Sequence, residues 1–456
     1  MKKTIAILLV AIMAVGSVFA AITGSAQIGV GANFDNGNYG FIDNSNSVDV
    51  NFELTNQTGE AVGEGDIYAS IKGSLVLEVF QAENAYDEAK NEKLPFYLVG
   101  DWGDKSYIGL GASIDEAKIG GANWYVSLLG VPGAPDFATS AIDTYDKAVK
   151  KYNIVTDSKG DTGNASWSVP YVKAPGVEVG IADYVIGAGF RADAQQTPDV
   201  DLFAQYAATA YFKTPEYDFN GLGLQAGAVY SLSSGDADKS FSDKKDSKAY
   251  NAAGASLKLS YANDTLSASV ASDLGYDFEN KEFGADVAAN FTYDFLTFDA
   301  YYGTNPKTKD DGTKIENLLS AQVVTDLNSF DVPVKVTVSG KDLINKQDLD
   351  LSVEFKVASL TLTPSVGYVI DTEKFNAGLK AQYDHEYFTA KAATSVETGF
   401  DKASTTLKAS ASIENSTLIP GSTIKLEWKD AEDLLNNSAD HEKNYGKVIA
   451  SIKVEF

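Results

Sequence analysis

Few residues in this chain carry the chemistry that catalysis or metal binding needs. There is no cysteine, and both methionines, Met1 and Met13, lie within the first 20 residues. Beyond residue 20 the chain holds no sulfur, which excludes thiol chemistry, disulfide staples and soft-metal sites. Histidine occurs twice, at His385 and His441, each in a polar turn or loop sequence where a solvated role is the default. Serines and aspartates are plentiful, but nothing assembles them with a histidine into a nucleophile, base and orienting acid. No spacing singles out a carboxylate pair. Gly29-Val30-Gly31 and Gly221-Leu222-Gly223 are not followed by the Lys-Ser/Thr of a phosphate loop. Asp310-Asp311-Gly312 lacks the ligand spacing of an EF-hand. The sequence therefore reads as a non-enzyme with no cofactor and no metal.

The chemistry that remains is charge. Lys and Arg number 37 against 63 Asp and Glu, a net charge of −26, and Arg191 is the sole arginine. So acidic a chain lacks the basic patch that nucleic acid requires. Many of the charges alternate with apolar residues. Lys380, Lys391, Lys408, Lys425 and Lys453 each stand on the polar side of such an alternation, as do Glu354, Glu397, Glu414 and Glu427. The lysines form a candidate basic band, and the glutamates are candidate neutralising partners on the same face.

The elements that position these charges are strands, because side chains alternate between the faces of a strand. Val448, Ala450, Ile452, Val454 and Phe456 share one face of the last segment, opposed by Lys447, Ile449, Ser451, Lys453 and Glu455. Leu407, Ala409, Ala411 and Ile413 repeat the pattern against Thr406, Lys408, Ser410 and Ser412. Near the start, Val48, Val50, Phe52 and Leu54 oppose Asp49, Asn51 and Glu53. Most such segments run about 9–12 residues, enough for a tilted strand to cross a bilayer. Tight-turn sequences (Asn263-Asp264, Asp294-Phe295, Ala358-Ser359, His385-Glu386, Asn415-Ser416) alternate with longer polar stretches. About sixteen strands fit between Gly176 and Phe456, with four to six more upstream. The expected fold is all-β: a transmembrane antiparallel up-and-down β-barrel of about 20 strands, an even number between 16 and 22, with short turns on one rim and longer loops on the other.

Three segments depart from this pattern. Residues 1–20 hold Lys2 and Lys3, an apolar run from Ile5 to Val15, and Val18-Phe19-Ala20, which reads as a secretory signal cleaved before Ala21. The barrel would then occupy residues 21–456. Residues 81–93 read as a short helix or loop. Residues 130–161 read as a long loop, since Pro132 and Pro135 exclude a central strand. Within it Ser140 can cap a helix carrying Ile142, Tyr145, Val149 and Tyr152 at helical spacing.

With its signal, its hairpin meander and its terminal aromatic Phe456, the chain resembles the porin-like outer-membrane proteins of diderm bacteria. Its Lys-rich, Arg-poor composition resembles that of a spirochaete or other low-GC source. The resemblance covers nearly the whole mature chain and is architectural. It implies a passive, water-filled channel for small hydrophilic solutes, set in outer-membrane lipid and often trimeric. It implies that the barrel-assembly machinery reads Phe456 with Val454 and Ile452. It also implies that a long loop folds inward to narrow the channel opposite basic wall residues. Residues 130–161 are the candidate, presenting Asp136, Asp143 and Asp146 to the lysine band. An alternative is a surface adhesin or sheath protein whose loops bind host or environmental ligands.

Overall fold

The fold is that of a computed structural model. It describes residues 19–35, 37, 39–41, 47–55, 66–82, 86–87, 92–93, 106–128, 135–138, 143–144, 147–148, 151–152, 166–167, 176–192, 206–233, 250–279, 281–304, 317–344, 347–399, 405–434 and 444–456. The alternating segments are strands of a single large sheet. β1 (Phe19–Asn33) is followed by β2, which comes in two pieces, Tyr39–Phe41 and Ser47–Thr55. Then come β3 (Tyr68–Ala82), β4 (Ser106–Gly121), β5 (Trp124–Leu128), β6 (Gly176–Ile181) and β7 (Tyr184–Ala192). β8 also has two pieces, Tyr206–Lys213 and Tyr217–Phe219. It leads to β9 (Leu222–Ser233), β10 (Tyr250–Ala262), β11 (Leu266–Asp277), β12 (Glu282–Tyr293), β13 (Leu296–Gly303) and β14 (Leu318–Asp326). The chain continues through β15 (Val334–Gly340), β16 (Asp348–Val357), β17 (Leu360–Val369), β18 (Lys374–Asp384) and β19 (Thr389–Thr398). It ends with β20 (Thr406–Asn415), β21 (Ser422–Ala431) and β22 (Lys447–Glu455).

Each strand pairs antiparallel with its neighbours in sequence, and β22 returns to pair with β1 from Ser25↔Glu455 to Asn33↔Lys447. The sheet is thus a closed barrel of 22 strands, 17 of them from Gly176 onward and five before. Closure leaves no edge and gives every strand a partner on both sides. An even strand number puts the start of β1 and the end of β22 at the same rim. That rim also carries the short connections, at 122–123, 182–183, 220–221, 263–265, 294–295, 358–359 and 385–388. The opposite rim carries most of the long ones, including 129–175 after β5, together with the four-residue connections 278–281 and 370–373.

Local chemistry makes the turns. Asn220 (φ 58°) and Gly221 (φ 88°) both have positive φ, as a two-residue hairpin turn matching strand twist requires. The Asn263 Oδ1 accepts the N–H groups of Thr265 at 3.0 Å and Leu266 at 2.8 Å, closing the β10–β11 connection. β15 starts at Val334 because Pro333 has no N–H for the ladder.

Within residues 81–93, Tyr86–Asp87 pairs antiparallel with Glu92–Lys93, which leaves the loop alternative and not the helix at those described residues. One expectation is corrected. Asp143–Thr144 pairs with Lys147–Ala148, and Lys151–Tyr152 runs parallel to Ser166–Trp167. Of the residues at helical spacing, Ile142, Tyr145 and Val149 lie outside the described residues, and Tyr152 and the described neighbours 143–144 and 147–148 are strand, not helix. Periodicity is a weak prior that local pairing overrides. Among the described residues the sole helical element is a single 3-10 turn, Leu327–Phe330, capped by the Asp326 carboxylate.

A closed sheet has an enclosed face and an outer one, and burial tells them apart. Tyr211, Val229, Ser231, Ser256 and Asp273 are all buried and share one face through register. The large exposed apolar residues, among them Ile186, Leu257, Val270, Val338 and Leu379, share the other. Apart from the irregular positions Asp115 and Asp430, no Asp, Glu, Lys or Arg takes an outward place in the described strands. Outward aromatics gather near both rims. Trp124, Tyr184, Phe219, Tyr261, Tyr293 and Tyr383 lie near the rim that carries the chain ends, and Phe190, Tyr230, Tyr276 and Tyr368 near the opposite rim. Even Pro364, within β17, takes an outward position.

Candidate pore lining and loop seat

Register places every candidate wall residue on the enclosed face. Lys380 of β18 opposes Ala393 of β19, and Lys391 opposes Ser412 of β20. Lys408, Lys425 and Lys453 follow on β20, β21 and β22, with Glu427 beside Lys425. Glu354 of β16 opposes Lys335 of β15.

This band is largely self-neutralised. Glu427 is held by Lys425, and by Lys429 at 3.3 Å. Lys391 reaches Glu414 at 3.7 Å, Lys374 reaches Glu397 at 2.6 Å, Lys408 reaches Glu432 at 2.6 Å and Lys453 reaches Glu455 at 2.7 Å. Lys380 has no ion-pair partner among the described residues. Apart from the more buried Glu427, these groups are a third or more exposed, so the pairs add little stability. Their main effect is to leave the wall of β18–β22 nearly neutral.

The facing stretch of wall is different, and its composition was not singled out from sequence. Asp273 and Asp277 of β11, Asp286 of β12 and Asp299 of β13 all point inward and are 0–5 % exposed. Asp273 and Asp286 are direct cross-strand partners. No Lys or Arg stands on the inward positions of β11, β12 or β13. Buried carboxylates need hydrogen bonds to be tolerated. Gln322 donates to Asp299 at 2.8 Å, and the Glu279 N–H donates to Asp277 at 2.9 Å. The available signal was parity: these aspartates fall on the polar positions of consecutive alternating strands.

Asp273 holds a different kind of partner. It accepts the backbone N–H of Phe137 at 3.1 Å and that of Ala138 at 2.8 Å. These residues belong to the 129–175 connection, so Pro135–Ala138 crosses the enclosed face over β9, β10 and β11. Asp136 in this segment is exposed. Asp143 pairs with Ala148 in the short hairpin beyond it, and Asp146 lies outside the described residues.

No family model matches this sequence, and no curated protein matches it. Solved structures do match. A mutant Rh. blastica porin is 12% identical, covering 96% of this chain and 100% of that one, with a TM-score of 0.30. OprD of Pseudomonas aeruginosa is 9% identical, covering 96% and 95%, with a TM-score of 0.36. The ferric enterobactin receptor PfeA of Pseudomonas aeruginosa is 8% identical, covering 96% and 81%, with a TM-score of 0.44. At these identities and scores the likeness adds nothing to what the strand pairing establishes.

On β5–β8 two inward tyrosines are seated on glycines of the neighbouring strand. The Tyr125 ring lies where a Cβ on Gly180 would stand, and the Tyr211 ring where one on Gly187 would stand. Both hydroxyls donate to Glu178, Tyr125 at 2.7 Å. Lys118 sits over the Tyr125 ring, 3.8 Å from its centroid. Phe456 shows the same device on the outer face. Its ring covers Gly24, whose added Cβ would lie 2.8 Å from it. Its N–H donates to the Gly24 carbonyl at 3.0 Å, and its carbonyl accepts the Gly24 N–H at 2.7 Å. Val454 and Ile452 continue outward along the same seam. Among the described residues no group of His, Asp and Glu has a metal-holding arrangement.

Proposed function

We infer that this chain is an outer-membrane porin: a water-filled channel for passive diffusion of small hydrophilic solutes. The observation that carries the reading is the division of one closed wall into an outward face without charge and an inward face rich in it. An uncharged belt flanked by aromatics suits a hydrocarbon layer, and an inward polar face suits water. Residues 1–20 act as the export signal, and the mature chain from Ala21 keeps most of β1. The barrel-assembly machinery inserts the chain through the Ile452, Val454 and Phe456 end. The short-turn rim with both termini faces the periplasm.

Twenty-two strands enclose a wider lumen than the 16–18 of open porins, and barrels of this width commonly carry a plug. The 129–175 connection is the element that narrows this one. Asp136, Asp143 and Asp146 belong to that loop, and Lys380 is a wall cation available to face it. Carboxylates on β11–β13 with a neutralised lysine wall give the channel a cation preference. The test is refolding into detergent, then gels of heated and unheated samples and planar-bilayer recording. A mobility shift on heating with discrete conductance steps supports the porin. Folded protein that never conducts would leave the alternative of a surface-binding barrel.

A further inference from the structure

The connection after β5 touches the inner wall through three separate devices. The first is the Asp273 carboxylate, 1 % exposed, which takes two consecutive backbone N–H groups, those of Phe137 and Ala138. Two N–H donors from adjacent residues pointing at one carboxylate fix both the position and the direction of the segment. The second is Ser256 on β10, whose hydroxyl donates to the Pro135 carbonyl at 3.3 Å. The third is Gly227 on β9. A Cβ there would lie 2.5 Å from Cβ and 2.6 Å from Cγ of Pro135, so the proline ring fits only because the wall has no side chain at that point. Gly227, Ser256 and Asp273 are cross-strand neighbours in one row, Gly227↔Ser256 and Ser256↔Asp273. Ala138, at the end of the seated segment, is 0 % exposed.

We propose that Gly227, Ser256 and Asp273 form a clasp that seats Pro135–Ala138 on the inner wall, with Asp273 as its positioning residue. Each member serves a different need: a gap for the ring, a donor for the carbonyl, and an acceptor for two N–H groups. The clasp accounts for a carboxylate buried on strands β11–β13, whose inward positions contain no cation. Its consequence for conduction rests on the porin reading above.

The test uses the absence of native cysteine. Phe137→Cys gives the full-length protein a single thiol on the seated segment. The rate of its modification by a hydrophilic maleimide is measured in the folded barrel. Backgrounds are otherwise native, Asp273→Asn, Asp273→Leu, Gly227→Val, and Ser410→Asn on the distant wall as a control. The clasp requires slow labelling in the native and control backgrounds. It requires intermediate labelling with Asp273→Asn, which keeps one acceptor oxygen, and fast labelling with Asp273→Leu or Gly227→Val. Equal rates in all backgrounds, with heat-shifted mobility showing that each folds, overturn the clasp. Conductance of the same proteins separates the two claims. Fast labelling with raised conductance supports both. Fast labelling with unchanged conductance keeps the clasp and overturns the constriction by this loop.

Discussion

Phe456 is held by backbone as well as by ring, and the two contributions can be separated. Its two hydrogen bonds to Gly24 close the seam between β1 and β22, and each is worth about 1 kcal/mol net. Phe456→Ala keeps those bonds and loses the ring, whereas deleting Phe456 loses both. Outer-membrane levels should therefore fall in the order wild type, Phe456→Ala, deletion, read by heat-modifiable protein in membrane fractions. Gly24→Val should resemble the deletion, because the new side chain would strike the Phe456 ring and the Asp49 carbonyl. Normal levels of Gly24→Val would show that the ring seat is not needed. A second residue-scale prediction concerns Glu427, which lies between Lys425 and Lys429. Glu427→Gln leaves both lysines unneutralised, so the reversal potential in a salt gradient should move toward anions, with folding unchanged. No movement would place this pair away from the conducting path.

At the scale of the strand, facing decides tolerance. Ala392 and Ala393 are neighbours on β19, of the same type and on opposite faces: Ala392 in register with Ala381 and Ala411, Ala393 with Lys380 and Ser410. Lysine on an outward mid-strand position costs about 2–4 kcal/mol in a bilayer. Ala392→Lys should block insertion while Ala393→Lys inserts, and equal yields of the two would contradict the assignment of faces. Turns offer a gain in stability. Ala358 holds φ 52° in the β16–β17 turn, where a Cβ costs about 1 kcal/mol, so Ala358→Gly should raise the midpoint of denaturant unfolding. Alternation made the strands readable, and Asn, Asp and Ser marked the tight turns at 263, 294 and 358. What alternation does not encode is which distant segment lies on which wall. Pro135–Ala138 meets Asp273 across more than a hundred residues of sequence, so neither the loop seat nor the role of Gly227 was legible. The helical reading failed at 143–144 and 147–148 for a related reason: in a short polar segment, spacing alone does not choose between a turn of helix and paired strands.

The whole molecule is one wall, and its strand number sets its width. Closure by β1 with β22 removes the edges that a sheet of this length would otherwise expose, and the uncharged outward belt makes lipid its natural solvent. The enclosed face carries an acidic stretch at β11–β13, lysines paired with carboxylates at β18–β22, and Pro135–Ala138 seated over β9–β11. The measurement that tests this account most directly is planar-bilayer recording of the refolded protein, with a reversal potential taken across a KCl gradient. The account predicts discrete ohmic steps and a potential favouring K⁺. Insertion of folded barrel without any conductance would contradict it.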